Sequence, residues 1–114
     1  SNVYKAQGYE QGKWFDNYNT QSVLLLDEYH SNFSIDFLLQ ILDGHPLCIQ
    51  CRYTNRWACF EKVYIVSNIT LDKQYIECQV TDKETWKALL ARISKIYEFT
   101  ELGKLPIEHP VPTE

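Results

Sequence analysis

Val23-Leu24-Leu25-Leu26 is an unbroken apolar run closed at once by two carboxylates, Asp27 and Glu28. Four apolar residues without alternation suit a strand covered on both faces, as in a parallel sheet flanked by helices. A second run, Val63-Tyr64-Ile65-Val66, is β-branched and aromatic and stops at Ser67-Asn68; it is the second candidate for a central strand. A chain of 114 residues buries about two thirds of the surface its unfolded form exposes, enough for one core around such strands. With 45% hydrophobic and 14% aromatic residues and only four glycines and four prolines, disorder is excluded for most of it. The apolar runs fall far short of the roughly 20 residues of a spanning helix. No basic segment leads into an apolar one at the start, so a soluble, non-secreted domain without a membrane partner is expected.

Around the two strands the pattern is α/β. The segment up to Asn19 is polar, aromatic and punctuated by Gly8 and Gly12, which reads as loop with one short strand. Ser34 is a candidate N-cap for a helix carrying Ile35, Leu38, Leu39 and Leu42 on one side, stopped by Gly44 and Pro46. Apolar stretches at 47–51 and 57–60 flank the polar residues 52–56, the pattern of a hairpin with that segment as its tip. Thr81-x-x-Glu84 is a capping box opening a helix to about Tyr97, with Trp86, Leu89, Leu90, Ile93 and Tyr97 on one stripe. The tail from Leu105, with Pro106, Pro110 and Pro112, is expected to fray. Cys48-x-x-Cys51 lies in a strand-like run, where side chains three apart point to opposite faces, and no second close pair completes a zinc set with Cys59 or Cys78; free, mostly buried thiols are expected.

Ligands of open α/β sheets bind at the carboxyl ends of the strands, so an acid pair there can hold Mg²⁺ and polarise a water. Asp27 is the candidate metal holder and Glu28 the candidate base. Asn68 ends the neighbouring strand, where its amide could orient the attacking water beside a γ-phosphate. Adjacent strand residues diverge to opposite faces, which excludes Asp27 and Glu28 as a glycosidase pair. The net charge of −4 rules out a general basic surface. The hairpin is a local exception: Arg52, Arg56 and Lys62 against Glu61 give +2, leaving −6 for the rest. Tyr53 and Trp57 interleave with these cations around Asn55, as single-stranded nucleic acid requires for neutralised phosphates and stacked bases.

The order Lys13-Trp14-Phe15-Asp16-Asn17-Tyr18, then Val23 through Glu28, then Pro46-Leu47 before a basic hairpin, then Val63 through Asn68, resembles the superfamily 3 helicase domain of rolling-circle replication-initiator (Rep) proteins of circovirus-like viruses and bacterial plasmids. Residues 23–28 resemble its Walker B motif, 63–68 its motif C with the sensor asparagine, and the segment between them its DNA-tracking B′ region. The resemblance implies a partial AAA-type (P-loop NTPase) parallel sheet flanked by helices, with a β-hairpin insertion. It divides the chain into an aromatic entry segment (1–22), an ATPase core (23–100) and a tail (101–114). It further implies that the intact protein, as a hexamer, couples ATP hydrolysis with Mg²⁺ to DNA unwinding. Asp27, Glu28 and Asn68 would then serve the nucleotide, and Arg92 a neighbouring subunit's nucleotide. Arg52, Tyr53, Asn55, Arg56, Trp57 and Lys62 would contact single-stranded DNA, or RNA.

Departures from the family pattern qualify these expectations. No G-x-x-x-x-G-K-S/T phosphate loop occurs, as in a piece cut downstream of it or a degenerate copy; no bound ATP or Mg²⁺ is expected on this chain alone. Tyr53-Thr54 stands where relatives commonly carry two glycines. In AAA-type sheets the missing strand would lie beside the motif C strand, so an exposed edge at 63–66 and an edge-strand dimer are expected. The compartment expected is the bacterial cytoplasm, or the host nucleus for a virus. Asp27-Glu28-Tyr29-His30 also spells a DExH box, but Ser67-Asn68 follows the superfamily 3 pattern. The rival reading from another class is a non-catalytic module that binds single-stranded nucleic acid.

Overall fold

Three short parallel strands build the sheet of this α/β domain. The computed structural model describes residues 2–7 and 13–113, which divide into one compact unit up to Ile76 and a second from Glu77. In the first, β1 (Val3–Gln7), β2 (Val23–Asp27) and β5 (Lys62–Ile65) form a parallel sheet in the order β1-β2-β5. The Leu24 and Leu26 side chains of β2 are fully buried and those of Val23 and Leu25 half-buried, so the apolar run is covered unequally on its two faces. The register aligns Tyr4, Leu24 and Val63, then Ala6, Leu26 and Ile65, on one face, where Ala6, Leu24 and Leu26 are fully buried and Ile65, on the outer strand, is exposed. The short strand foreseen in the entry segment is β1; Gly8 and Gly12 lie outside the described residues.

The entry segment is a hydrophobic anchor. Trp14, Phe15 and Tyr18 are buried, and Tyr4 of β1 stacks on Phe15 at 5.8 Å and meets Tyr18 edge-on at 5.3 Å. The Tyr4 hydroxyl also donates to the Trp14 carbonyl at 2.6 Å. Helix α1 (Ile35–Leu42) joins this cluster through Phe37, which packs on Phe15 and Phe33. Its Ser34 cap accepts from the Phe37 N–H at 3.2 Å, as the sequence indicates. Leu38 and Ile41 are its most buried residues, so the packed stripe is centred closer to Ile41 than the sequence reading placed it.

Between α1 and β5, β3 (Leu47–Gln50) and β4 (Asn55–Ala58) form the expected antiparallel hairpin. Its loop is residues 51–54, closed by the Cys51 N–H on the Thr54 carbonyl at 3.0 Å. Asn55 and Arg56 therefore belong to a strand and not to the tip, because the ladder persists until Gln50 meets Asn55.

The second unit departs further from the sequence reading. Thr81 ends α2 (Ile76–Thr81), its hydroxyl donating to the Glu77 carbonyl at 2.9 Å. Asp82 is the actual N-cap of α3 (Lys83–Arg92), which buries Trp86, Leu89 and Leu90. The helix stops at Ile93, well before Tyr97, since the chain turns extended into β6 (Ile96–Glu98). The tail is not frayed at its centre: β7 (Ile107–His109) pairs with β6, and His109 Nε2 lies 2.8 Å from Glu98 Oε1. All four cysteines are free, yet Cys48 and Cys59 are exposed and Cys51 and Cys78 half-buried, against the expected burial. None of the described helices is long and apolar enough to cross a membrane.

Candidate functional site

Parallel strands run out at the same edge of a sheet, so β2 and β5 deliver Asp27-Glu28 and Ser67-Asn68 to one rim. Hydrogen bonding continues past the strand ends: Val66 N–H donates to the Leu26 carbonyl at 2.8 Å and Tyr29 N–H to the Val66 carbonyl at 2.9 Å. Asp27 closes β2 with its side chain 24% exposed, Oδ2 lying 3.3 Å from Lys5 Nζ. Its Oδ1 accepts from the Glu28 N–H at 3.0 Å. Glu28 adopts a left-handed backbone with φ +54, a region that costs a residue with a Cβ about 1–2 kcal/mol. Its exposed carboxylate makes no hydrogen bond or ion pair with the described residues. Asn68 is also exposed, and its amide does not bond its own turn.

A buried polar clamp holds this rim, and it was not legible in the sequence. Gln74 is 5% exposed; its Nε2 donates to the Tyr29 carbonyl at 3.1 Å and to Ser67 Oγ at 3.2 Å. Ser67 Oγ in turn donates to the Tyr29 carbonyl at 2.6 Å and accepts from the Ile69 N–H at 3.1 Å. Gln74 Oε1 accepts from Ser31 Oγ at 2.6 Å, and Ser31 Oγ accepts from the Tyr75 N–H at 3.0 Å. The hydroxyls of Tyr29 and Tyr75 bond each other, and the Tyr75 hydroxyl reaches the Phe33 carbonyl at 2.8 Å. Burial raises the pKa of Tyr29 above the usual tyrosine value, with these bonds pulling the other way. Residues adjacent to Glu28 and Asn68 are thus fixed, while their own side chains project to solvent. Among the described residues, three of the four non-glycine residues with positive φ, Glu28, Ser31 and Tyr75, lie along this clamp, where packing holds a backbone that would otherwise relax.

The hairpin divides the remaining candidates. Strand alternation puts Trp57 opposite Cys48 and Asn55 opposite Gln50 on an exposed face, and Arg56 opposite Ile49 on the other. Trp57 is 66% and Tyr53 86% exposed, so Trp57 is not a core residue. The Arg52 guanidinium sits 5.1 Å from the centre of the Tyr53 ring, a cation–π contact that holds charge and ring together at the tip. Arg56 is half-buried; burial raises the pKa of the Cys51 thiol, and the Arg56 charge lowers it. Lys62 is exposed on the first residue of β5, outside the hairpin. Arg92 ends α3 in the second unit, exposed, with Nη1 on the Ala88 carbonyl at 2.8 Å.

These features define a three-stranded parallel α/β domain with acids and an amide at its carboxyl rim and an aromatic, cationic hairpin. The chain is similar to the replication-associated protein of goose circovirus, 29% identical over 97 residues that cover 84% of this chain and 31% of that protein. It therefore spans about a third of the length of that relative. No protein-family model matches the chain.

Proposed function

We propose that this chain is part of the ATP-driven helicase of a replication-associated protein, of superfamily 3 type, acting in rolling-circle DNA replication. The observation that carries the reading is the adjacency of β2 and β5, which brings Asp27, Glu28 and Asn68 to one rim. The order β1-β2-β5 fits three neighbouring strands of an AAA-type sheet, and the bare outer edge of β5, with Tyr64 54% exposed, leaves room for the strand that would follow. A second copy pairing there is the other occupant this edge admits.

Asp27 carries the hard oxygen donors a Mg²⁺ ligand needs, and Mg²⁺ would share or displace the Lys5 ammonium that lies 3.3 Å from its Oδ2. Asp27 would hold that ion, which would supply positive charge against the phosphate oxygens. Glu28 accepts the proton of the attacking water, for which its unpaired carboxylate is suited, and the Asn68 amide orients that water. Arg92 serves the nucleotide of a neighbouring subunit in a homohexamer. A phosphate loop from the rest of the protein completes the site. Arg52, Tyr53, Asn55 and Trp57 contact single-stranded DNA, or RNA, with Arg56 and Lys62 adding charge nearby.

The test is DNA-stimulated ATP hydrolysis by the whole protein carrying these residues. Loss of a general base costs about 10²–10⁴-fold, so Glu28→Gln should lower turnover at least 100-fold with nucleotide binding retained. Unchanged turnover would favour the second reading, a binding module without catalysis, which the exposed Tyr53 and Trp57 also support.

A further inference from the structure

Trp57 forms one wall of an open surface groove of about 360 Å³, lined by Gln40 and Asp43 at the end of α1, by His45 and Pro46, and by Leu47 and Cys48 of β3. The groove exists because the chain reverses sharply after the helix: Asp43 caps α1, Gly44 takes φ +76, and Pro46 leads into β3. An indole normally buries most of its area, yet this one is 66% exposed, with only a cysteine opposite it on β3.

Charge decides which part of a nucleic acid fits. The groove holds the Asp43 carboxylate and no lysine or arginine, so it disfavours a phosphate. The cation lies at the tip of the same hairpin, where Arg52 sits over Tyr53. From that tip the exposed face runs through the Gln50–Asn55 pair to the Cys48–Trp57 pair. A strand with its phosphates at Arg52 therefore lays a base on Trp57.

We propose that this groove holds one unpaired nucleobase, stacked on the Trp57 indole with its edge toward Gln40, Asp43 and His45. The hairpin thereby selects single strands over duplex, whose bases are already stacked and paired. The inference rests on the reading of the hairpin as a nucleic-acid interface.

Tryptophan emission makes a direct test, because Trp14 and Trp86 are 9% and 8% exposed and Trp57 alone faces solvent. The chain is titrated with a labelled single-stranded DNA oligonucleotide, an abasic strand of equal length and a duplex, reading label anisotropy and tryptophan emission together. Base stacking predicts quenching by the base-bearing strand and none by the abasic one. The abasic strand and the duplex should each bind on the order of tenfold more weakly. Trp57→Phe, at an exposed site, should abolish the quenching and keep most of the affinity. Binding without quenching, or equal affinity for the abasic strand or the duplex, overturns the groove assignment and leaves the hairpin reading intact. No binding of any of the three overturns both.

Discussion

At the scale of single residues, the rim was legible where chemistry is written in adjacent positions and illegible where it depends on distant ones. Asp27, Glu28 and Asn68 follow apolar runs and could be singled out from those runs alone. Gln74 could not, because its partners Tyr29 and Ser31 lie 45 and 43 residues away and no local pattern marks a buried amide. Lys5 escaped notice for the same reason, its ion pair with Asp27 arising only when β1 pairs with β2. Removing a buried partner leaves the remaining polar groups unsatisfied at about 1–3 kcal/mol. Gln74→Ala should lower the unfolding free energy by that amount in a denaturant titration, with an unchanged slope. A loss below about 0.5 kcal/mol, within the usual range of neutral surface substitutions, would show that the clamp is dispensable.

At the scale of elements, periodicity located strands and helices and missed their ends. The hairpin tip was drawn two residues too wide, since Asn55 and Arg56 have polar, turn-like side chains but sit where β4 can still pair with β3. The Thr81 capping box was misleading because Asp82 competes for the same helix start. Thr85 donates to the Asp82 carboxylate from its N–H at 3.3 Å and from its hydroxyl at 2.7 Å. Those bonds hold the Asp82 pKa below its ordinary value. A depressed folded-state pKa means that this contribution is present above the unfolded pKa and is lost as pH falls through the folded one. Acid titration of far-ultraviolet circular dichroism should therefore show a loss of α3 helicity below the usual carboxylate range. Asp82→Asn, which keeps an acceptor but does not titrate, should shrink that step; an equal step in the variant would remove Asp82 as its cause.

At the scale of the whole molecule, the parallel sheet and its helices were legible from two apolar runs and one capped helix. The strand between β1 and β5 carries the apolar run 23–26, of which Leu24 and Leu26 are fully buried, and the preceding Trp14, Phe15 and Tyr18 are buried as well. The β6–β7 hairpin was not legible, because three prolines hide a strand of only three residues. The division at Ile76 was equally silent, falling beside a helix of six residues. In a chain of net charge −4, the proposed single-strand binding rests on the hairpin and not on the surface at large. It is tested most directly by fluorescence anisotropy of a labelled single-stranded oligonucleotide at low and moderate salt, comparing this chain with Arg52→Ala. Salt-weakened binding is expected of the parent chain, and of the variant weaker binding with a shallower salt slope, by about one phosphate contact. Equal affinity and equal slope in the two proteins, or no binding by the parent chain even at low salt, would contradict it.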